Sequence, residues 1–135
     1  MRCLIDANIL LDVLSDRQPH VQDSSKIWKL CETRQIEGFV STLTFADLFY
    51  ILRKELDPGT IEKTLDSLKL IFIFAELNES DISNATSLKW ADFEDAIQSV
   101  TASRIKADFI VTRNVRDFKN SSITALTPAE ILERF

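Results

Sequence analysis

The residues best placed to do chemistry together are acids that each follow or open a structural element: Asp6, Asp47, Asp92, Asp95 and Asp117, with Asn114 beside the last. Carboxylates brought to one spot repel one another and raise each other's pKa unless a cation sits between them. Hard oxygen ligands select Mg²⁺ or Mn²⁺ over zinc. Such an ion holds a phosphate oxygen, lowers the pKa of a bound water and stabilises a leaving oxygen. The chemistry this suits is phosphodiester hydrolysis without histidine. Taken singly, an acid in the first turn of a helix is favoured by the helix dipole and needs no further role. The signal therefore lies in the set. Asp6 is the hardest to read as a cap, because Ala7-Asn8 follows it. Asp12 is expected to be a solvated helix residue and Glu94 to point to solvent.

These acids could meet only if particular elements carried them. Cys3 to Ile5 reads as a buried strand ending at Asp6, followed by a helical turn or two over Ile9 to Leu14. Ile27, Trp28, Leu30 and Cys31 give Val21 to Thr33 a helical pattern. Gly38 opens a second strand, Phe39-Val40. Ser41 or Thr42 can cap a helix from Leu43 to about Glu55, with Asp47 one turn in. Asp57-Pro58-Gly59 reads as a turn, Thr60 as the cap of a helix through Leu68, and Leu70 to Phe74 as a third strand. Helices follow over Asp81 to Lys89 and from about Phe93 to Ile105, the second opened by Asp92 and Asp95. Phe109 to Val111 is a fourth strand, with Asn114 and Asp117 just beyond it, and Ile123 to Ala125 a fifth. Thr127-Pro128-Ala129-Glu130 combines an N-cap, proline at the first helical position and a reciprocal glutamate. Short, wholly apolar strands alternating with helices predict a parallel sheet covered on both faces. Ligands of such sheets bind outside the carboxyl ends of the strands, where these acids would gather.

The bulk properties narrow the field. A chain of 135 residues, 45% of them apolar, suffices for a single domain with one packed core. Only two glycines and three prolines argue against a fold of many hairpins. The formal net charge of −5 excludes a protein that simply coats nucleic acid with basic surface. Any contact with nucleic acid must run through bound metal or a local basic patch. Cys3 and Cys31 lack metal-ligand spacing and read as reduced core thiols, which fits a cytoplasmic protein. The lone histidine, His20, excludes a multi-histidine zinc site and reads as the start of a helix. No signal peptide is evident, and the longest apolar run, Leu70 to Ala75, is far short of the ~20 residues that span a bilayer. Trp28 and Trp90 read as core or interface residues rather than base-stacking platforms.

Four segments, in order, resemble the motifs of the PIN-domain family. They are Leu4-Ile5-Asp6-Ala7-Asn8-Ile9-Leu10-Leu11-Asp12, Ser41-Thr42-Leu43-Thr44-Phe45-Ala46-Asp47, Asp92-Phe93-Glu94-Asp95-Ala96-Ile97-Gln98 and Phe109-Ile110-Val111-Thr112-Arg113-Asn114-Val115-Arg116-Asp117-Phe118. The second departs from the family, which usually has Glu where this chain has Asp47. The resemblance covers essentially the whole chain. It implies a three-layer α/β/α sandwich around a parallel sheet of about five strands. It implies a Mg²⁺- or Mn²⁺-dependent ribonuclease, often the toxin of a VapC-type toxin–antitoxin pair and often a homodimer, with RNA and an antitoxin protein as partners. Carried over, the acids are Asp6, Asp47, Asp95 and Asp117, with Asp92 as an additional metal ligand or a support to one. Asn8 and Thr112 would orient ligands or water. Asn114 stands where some relatives carry the fourth acid, so Asn114 and Asp117 both remain candidates for that position. Arg113, Arg116 and Lys119 could meet RNA, or Arg113 and Arg116 could pair with surface acids. The alternative function is a PIN domain that no longer cuts and serves as an RNA- or protein-interaction module.

Two other architectures place an Asp after the first strand. A haloacid-dehalogenase-like phosphatase needs a second Asp two residues on, where this chain has Asn8. A receiver domain needs an acceptor Asp after the third strand, which here ends near Glu76. Neither pattern fits.

Overall fold

Strands without a polar side need cover above and below, and the chain supplies it. A computed structural model describes all residues, Met1–Phe135. The elements run β1 (Arg2–Ile5), α1 (Ala7–Leu14), α2 (Val21–Glu32), β2 (Glu37–Ser41), α3 (Thr42–Leu52), α4 (Pro58–Ile71), β3 (Ile73–Ala75), α5 (Glu79–Leu88), α6 (Phe93–Arg104), β4 (Phe109–Val111), a 3₁₀ turn (Val115–Phe118), β5 (Ala125–Leu126) and α7 (Pro128–Leu132). All strand pairings are parallel, in the order β3-β2-β1-β4-β5.

Alternate strand residues feed different cores. Cys3, Ile5, Val40 and Val111 pack with residues of α1, α2, α3, α4 and α7 on one face. Leu4 and Ile110 point the other way, with Ala75, Ala102 of α6 and Phe118, while Ala85 of α5 joins Ala96 and Ile97 of α6 beside them. The result is the three-layer α/β/α sandwich expected. Gly38 sits opposite Cys3 in the sheet. A Cβ there would lie 2.6 Å from the Cys31 sulfur and 3.0 Å from the Phe72 ring, so glycine is what lets α2 settle on β2. Both thiols are buried and unpaired. Burial pushes each up to about 12, which leaves them unreactive core groups.

Several boundaries differ from the sequence reading. Asp57-Pro58-Gly59 is not a free turn: Asp57 caps α4 by accepting the Thr60 amide at 2.8 Å, with Pro58 in the first helical turn. Leu70 and Ile71 belong to the end of α4, not to β3. An apolar run cannot by itself separate a buried helix end from a strand. β5 is Ala125–Leu126, and α3 stops at Leu52. The capping box at Thr127 and Glu130 forms as read. No helix is long and apolar enough to cross a membrane.

Candidate active site

The sheet's order reverses between β1 and β4, whose chain connections run to opposite sides. Such a switch point opens a crevice at the carboxyl ends of the strands. Asp6 follows β1 there and Thr112 follows β4. The Asp6 amide donates to the Val111 carbonyl at 3.0 Å, so the sheet ladder itself fixes where the acid begins. One Asp6 carboxylate oxygen accepts the Ala7 amide at 2.8 Å. The other accepts the Thr112 hydroxyl at 2.8 Å and the Asn8 side-chain amide at 3.4 Å. Thr112, fully buried, also accepts the Asn114 amide at 3.0 Å. The Asn8 carbonyl oxygen in turn accepts the Arg113 amide at 3.3 Å. Asn8 and Thr112 thus hold Asp6 in one orientation. Asp6, hard to read as a cap from the sequence, is the N-cap of α1.

Three other acids meet Asp6 in a small cavity of about 50 Å³: Asp47 from α3, and Glu94 and Asp95 from the first turn of α6. Glu94, expected to face solvent, is exposed, and its side chain also lines the cavity beside Asp47. Thr44 and Gln98 complete the wall, the Gln98 amide donating to the Thr44 hydroxyl at 3.3 Å. The buried Gln98 carbonyl oxygen has no partner. Gln98 is three residues from Asp95 and four from Glu94, a spacing that shares one helix face and was legible in the sequence.

Asp92 and Asp117 lie in a neighbouring, larger cleft of about 700 Å³, lined also by Trp90, Arg116 and Lys119. The four expected acids therefore occupy two adjoining clefts, and Asp95 borders both. Asp92 also caps α6, accepting the Asp95 amide at 3.0 Å. Asn114 is exposed and its side chain makes no hydrogen bond that would fix it. Trp90, read as core or interface, packs half-buried against the core beside α6 and also forms part of the cleft wall.

Arg113 is engaged elsewhere. Its guanidinium donates to Asp12 at 2.9 Å, and Ser24 of α2 donates to the same carboxylate oxygen at 2.8 Å. Asp12, expected to be solvated, is completely buried. The pair ties the segment after β4 to α1 and α2.

The electrostatics follow from this crowding. Asp95 is pushed up to about 7, by burial first and then by Asp92, Asp6, Asp117 and Glu94. Burial raises Asp6 against the opposing hydrogen bonds from Thr112 and Ala7. Glu94 is raised by burial and then by Asp47. No basic side chain lines the small cavity of Asp6, Asp47, Glu94 and Asp95 to offset them. No three of them group tightly enough to form a ready-made coordination shell. The donor set is nonetheless that of a hard cation: carboxylate oxygens, plus a buried amide oxygen without a partner in the same cavity.

A parallel sheet sandwiched by helices, with acids gathered at its switch point, defines a class of nuclease-like α/β domain. Residues 2–116 match the family model of the PIN domain, and the chain belongs to that family. PIN domains are in general nucleases, and those nucleases generally use divalent metal ions. The matched residues end just before Asp117. Among curated protein sequences none matches significantly. In fold the chain is similar to a protein of a toxin–antitoxin complex from Klebsiella pneumoniae, with a TM-score of 0.73 and 21% identity, covering 93% of this chain and 97% of that one. It is also similar to a chain of VapBC2 from Rickettsia felis bound to a promoter DNA fragment, with a TM-score of 0.72, 15% identity and coverage of 94% and 98%. VapBC-1 from nontypeable Haemophilus influenzae gives 0.71, 14% identity and coverage of 96% and 99%.

Proposed function

We propose that this protein is a divalent-metal-dependent endoribonuclease that hydrolyses RNA phosphodiester bonds, and that it is the toxin of a toxin–antitoxin pair. The observation that carries the reading is the meeting of Asp6, Asp47, Glu94 and Asp95, from three distant segments, in one cavity at the sheet's switch point. Asp6 and Asp95 would hold Mg²⁺ or Mn²⁺, with Asp92 and Asp117 approaching from the adjoining cleft. When bound, the ion supplies a Lewis acid that lowers the pKa of water and offsets charge on the phosphate. Asn8 and Thr112 keep the Asp6 carboxylate aimed. Asp47, one methylene shorter than the Glu usual at this position, would act with Glu94, which reaches the same cavity. Arg116 and Lys119 would hold RNA phosphates.

The toxin reading and its antitoxin partner are supported by likeness in fold to chains of toxin–antitoxin complexes. A homodimer is supported by exposed Phe49, Tyr50 and Ile51 on α3 beside Ile73 and Phe74 on the edge strand β3. The Phe45 and Phe74 rings, 4.1 Å apart, join α3 to this edge strand. The test of the activity is cleavage of single-stranded RNA in rising Mg²⁺ or Mn²⁺. Cleavage should need the metal, stop with chelator and resume on readdition. Cleavage that persists in excess chelator would refute metal dependence. No cleavage under any metal would leave an interaction module.

A further inference from the structure

The larger cleft holds more than acids. At about 700 Å³ it has the size of a ligand pocket, whereas the cavity at Asp6 is about 50 Å³ and suits an ion or water. Trp90 stands in its wall just ahead of Asp92. The Trp90 indole is braced edge-on by Phe118, with ring centroids 6.3 Å apart at 72°. A braced, half-exposed aromatic loses little freedom when another ring packs against it.

The cations of this cleft are also free. Lys89, Arg116 and Lys119 all line it, and none forms an ion pair. Arg104 and Arg113, by contrast, are committed to the buried Asp81 and Asp12. On a chain of net charge −5, three unpaired cations around one aromatic beside a row of acids form a local site. Asn120 adds an exposed side-chain amide, donor and acceptor together, that makes no hydrogen bond within the protein. An aromatic, unpaired cations and a free amide are what a splayed-out nucleotide uses: a stacking face, phosphate contacts and a reader for the base edge.

We propose that the cleft between Trp90 and Asn120 is a nucleotide subsite beside the point of cleavage, taking one unpaired base of single-stranded RNA against Trp90 and its phosphates on Arg116, Lys119 and Lys89. The inference rests on the nuclease reading for what is cut, but the binding it describes is testable without cleavage. Asp95 borders both clefts, so a nucleotide here would leave its phosphodiester next to the carboxylate cavity. Base preference at the cut would then be set by Trp90 and Asn120.

The chain has two tryptophans. Trp28 packs edge-on against Phe72 on the other side of the sheet, so Trp28→Phe leaves Trp90 as the only tryptophan reporter. In that background, with Asp95→Asn added to suppress cutting, a short mixed-sequence RNA in Mg²⁺ should quench Trp90 emission. Anisotropy of the labelled RNA reports binding in parallel. Trp90→Leu should weaken binding by about tenfold, and Trp90→Phe should restore most of it. In otherwise wild-type protein, Trp90→Leu and Asn120→Ala should raise KM more than they lower kcat and change the bases found at the cut. Binding without quenching, no binding, or an unchanged cleavage pattern in both variants overturns the subsite. Equal quenching by a polyglutamate peptide, which has charge but no bases, also overturns it and assigns the cleft to an acidic protein segment. If wild type fails to cut yet RNA quenches Trp90, the nuclease reading falls while the subsite stands.

Discussion

Asp95 borders both clefts, and its raised pKa gives it a measurable signature. Its carboxyl is pushed from 3.8 to about 7, so between those values the folded chain keeps a proton that the unfolded chain has released. Stability contributed by that proton is full below about pH 4 and is lost as pH rises to about 7. In chelator, urea denaturation should show wild type losing stability relative to Asp95→Asn across this window. A difference that stays flat, or runs the other way, would mean that Asp95 is not crowded by its neighbours. The acids themselves were legible in the sequence because each stands at a strand end or near a helix start. Glu94 was not, because the first turn of a helix offers both a solvent side and a site side, and only packing decides between them. Asp12 was missed for a related reason: its partner Arg113 lies 101 residues away, beyond any local pattern.

At the scale of elements, two ion pairs hold the pieces that carry the site. Arg104, in the last turn of α6, donates to Asp81 in the first turn of α5 at 2.9 Å and also to the Glu76 carbonyl. This ties the helix that opens with Asp92 and Asp95 to its neighbour. Arg113 and Asp12 fasten the segment after β4 to α1. Removing one partner of a buried pair strands the other, at a cost of ~3–5 kcal/mol. Arg113→Ala should approach the lower end of that range in thermal or chemical denaturation, because its own side chain is partly exposed. Arg116→Ala, at a free surface cation, should stay within about 0.5 kcal/mol of wild type while weakening RNA binding and its salt dependence. Equal stability losses in the two variants would contradict the division of roles. Most elements could be read from the sequence, since apolar strands and capped helices leave local signals. The end of α4 could not: the apolar run through Leu70 and Phe74 is shared by a helix and a strand, and only the sheet's register, Phe39 opposite Ile73, fixes the boundary.

The molecule as a whole concentrates like charges at one edge of its sheet. A cation that binds the folded state and not the unfolded one stabilises by mass action. Mn²⁺ should therefore raise the melting temperature of wild type, and Asp6→Asn should lose most of that rise. An equal rise in both would put the metal elsewhere. The resemblance to the PIN-domain family was readable over nearly the whole chain because its motifs sit at strand ends. The division of the acids between two clefts was not, since it depends on how the turn after β4 carries Asp117 away from Asp6. The most direct test of the proposed activity is metal-dependent cleavage of a mixed single-stranded RNA pool by wild type and Asp95→Asn, prepared identically. Asp95→Asn keeps the side chain's shape and removes its charge. Wild type should cut and the variant should not, with the variant's fold intact by circular dichroism. Equal cleavage by both would point to a contaminating nuclease and contradict a catalytic role for this carboxylate site.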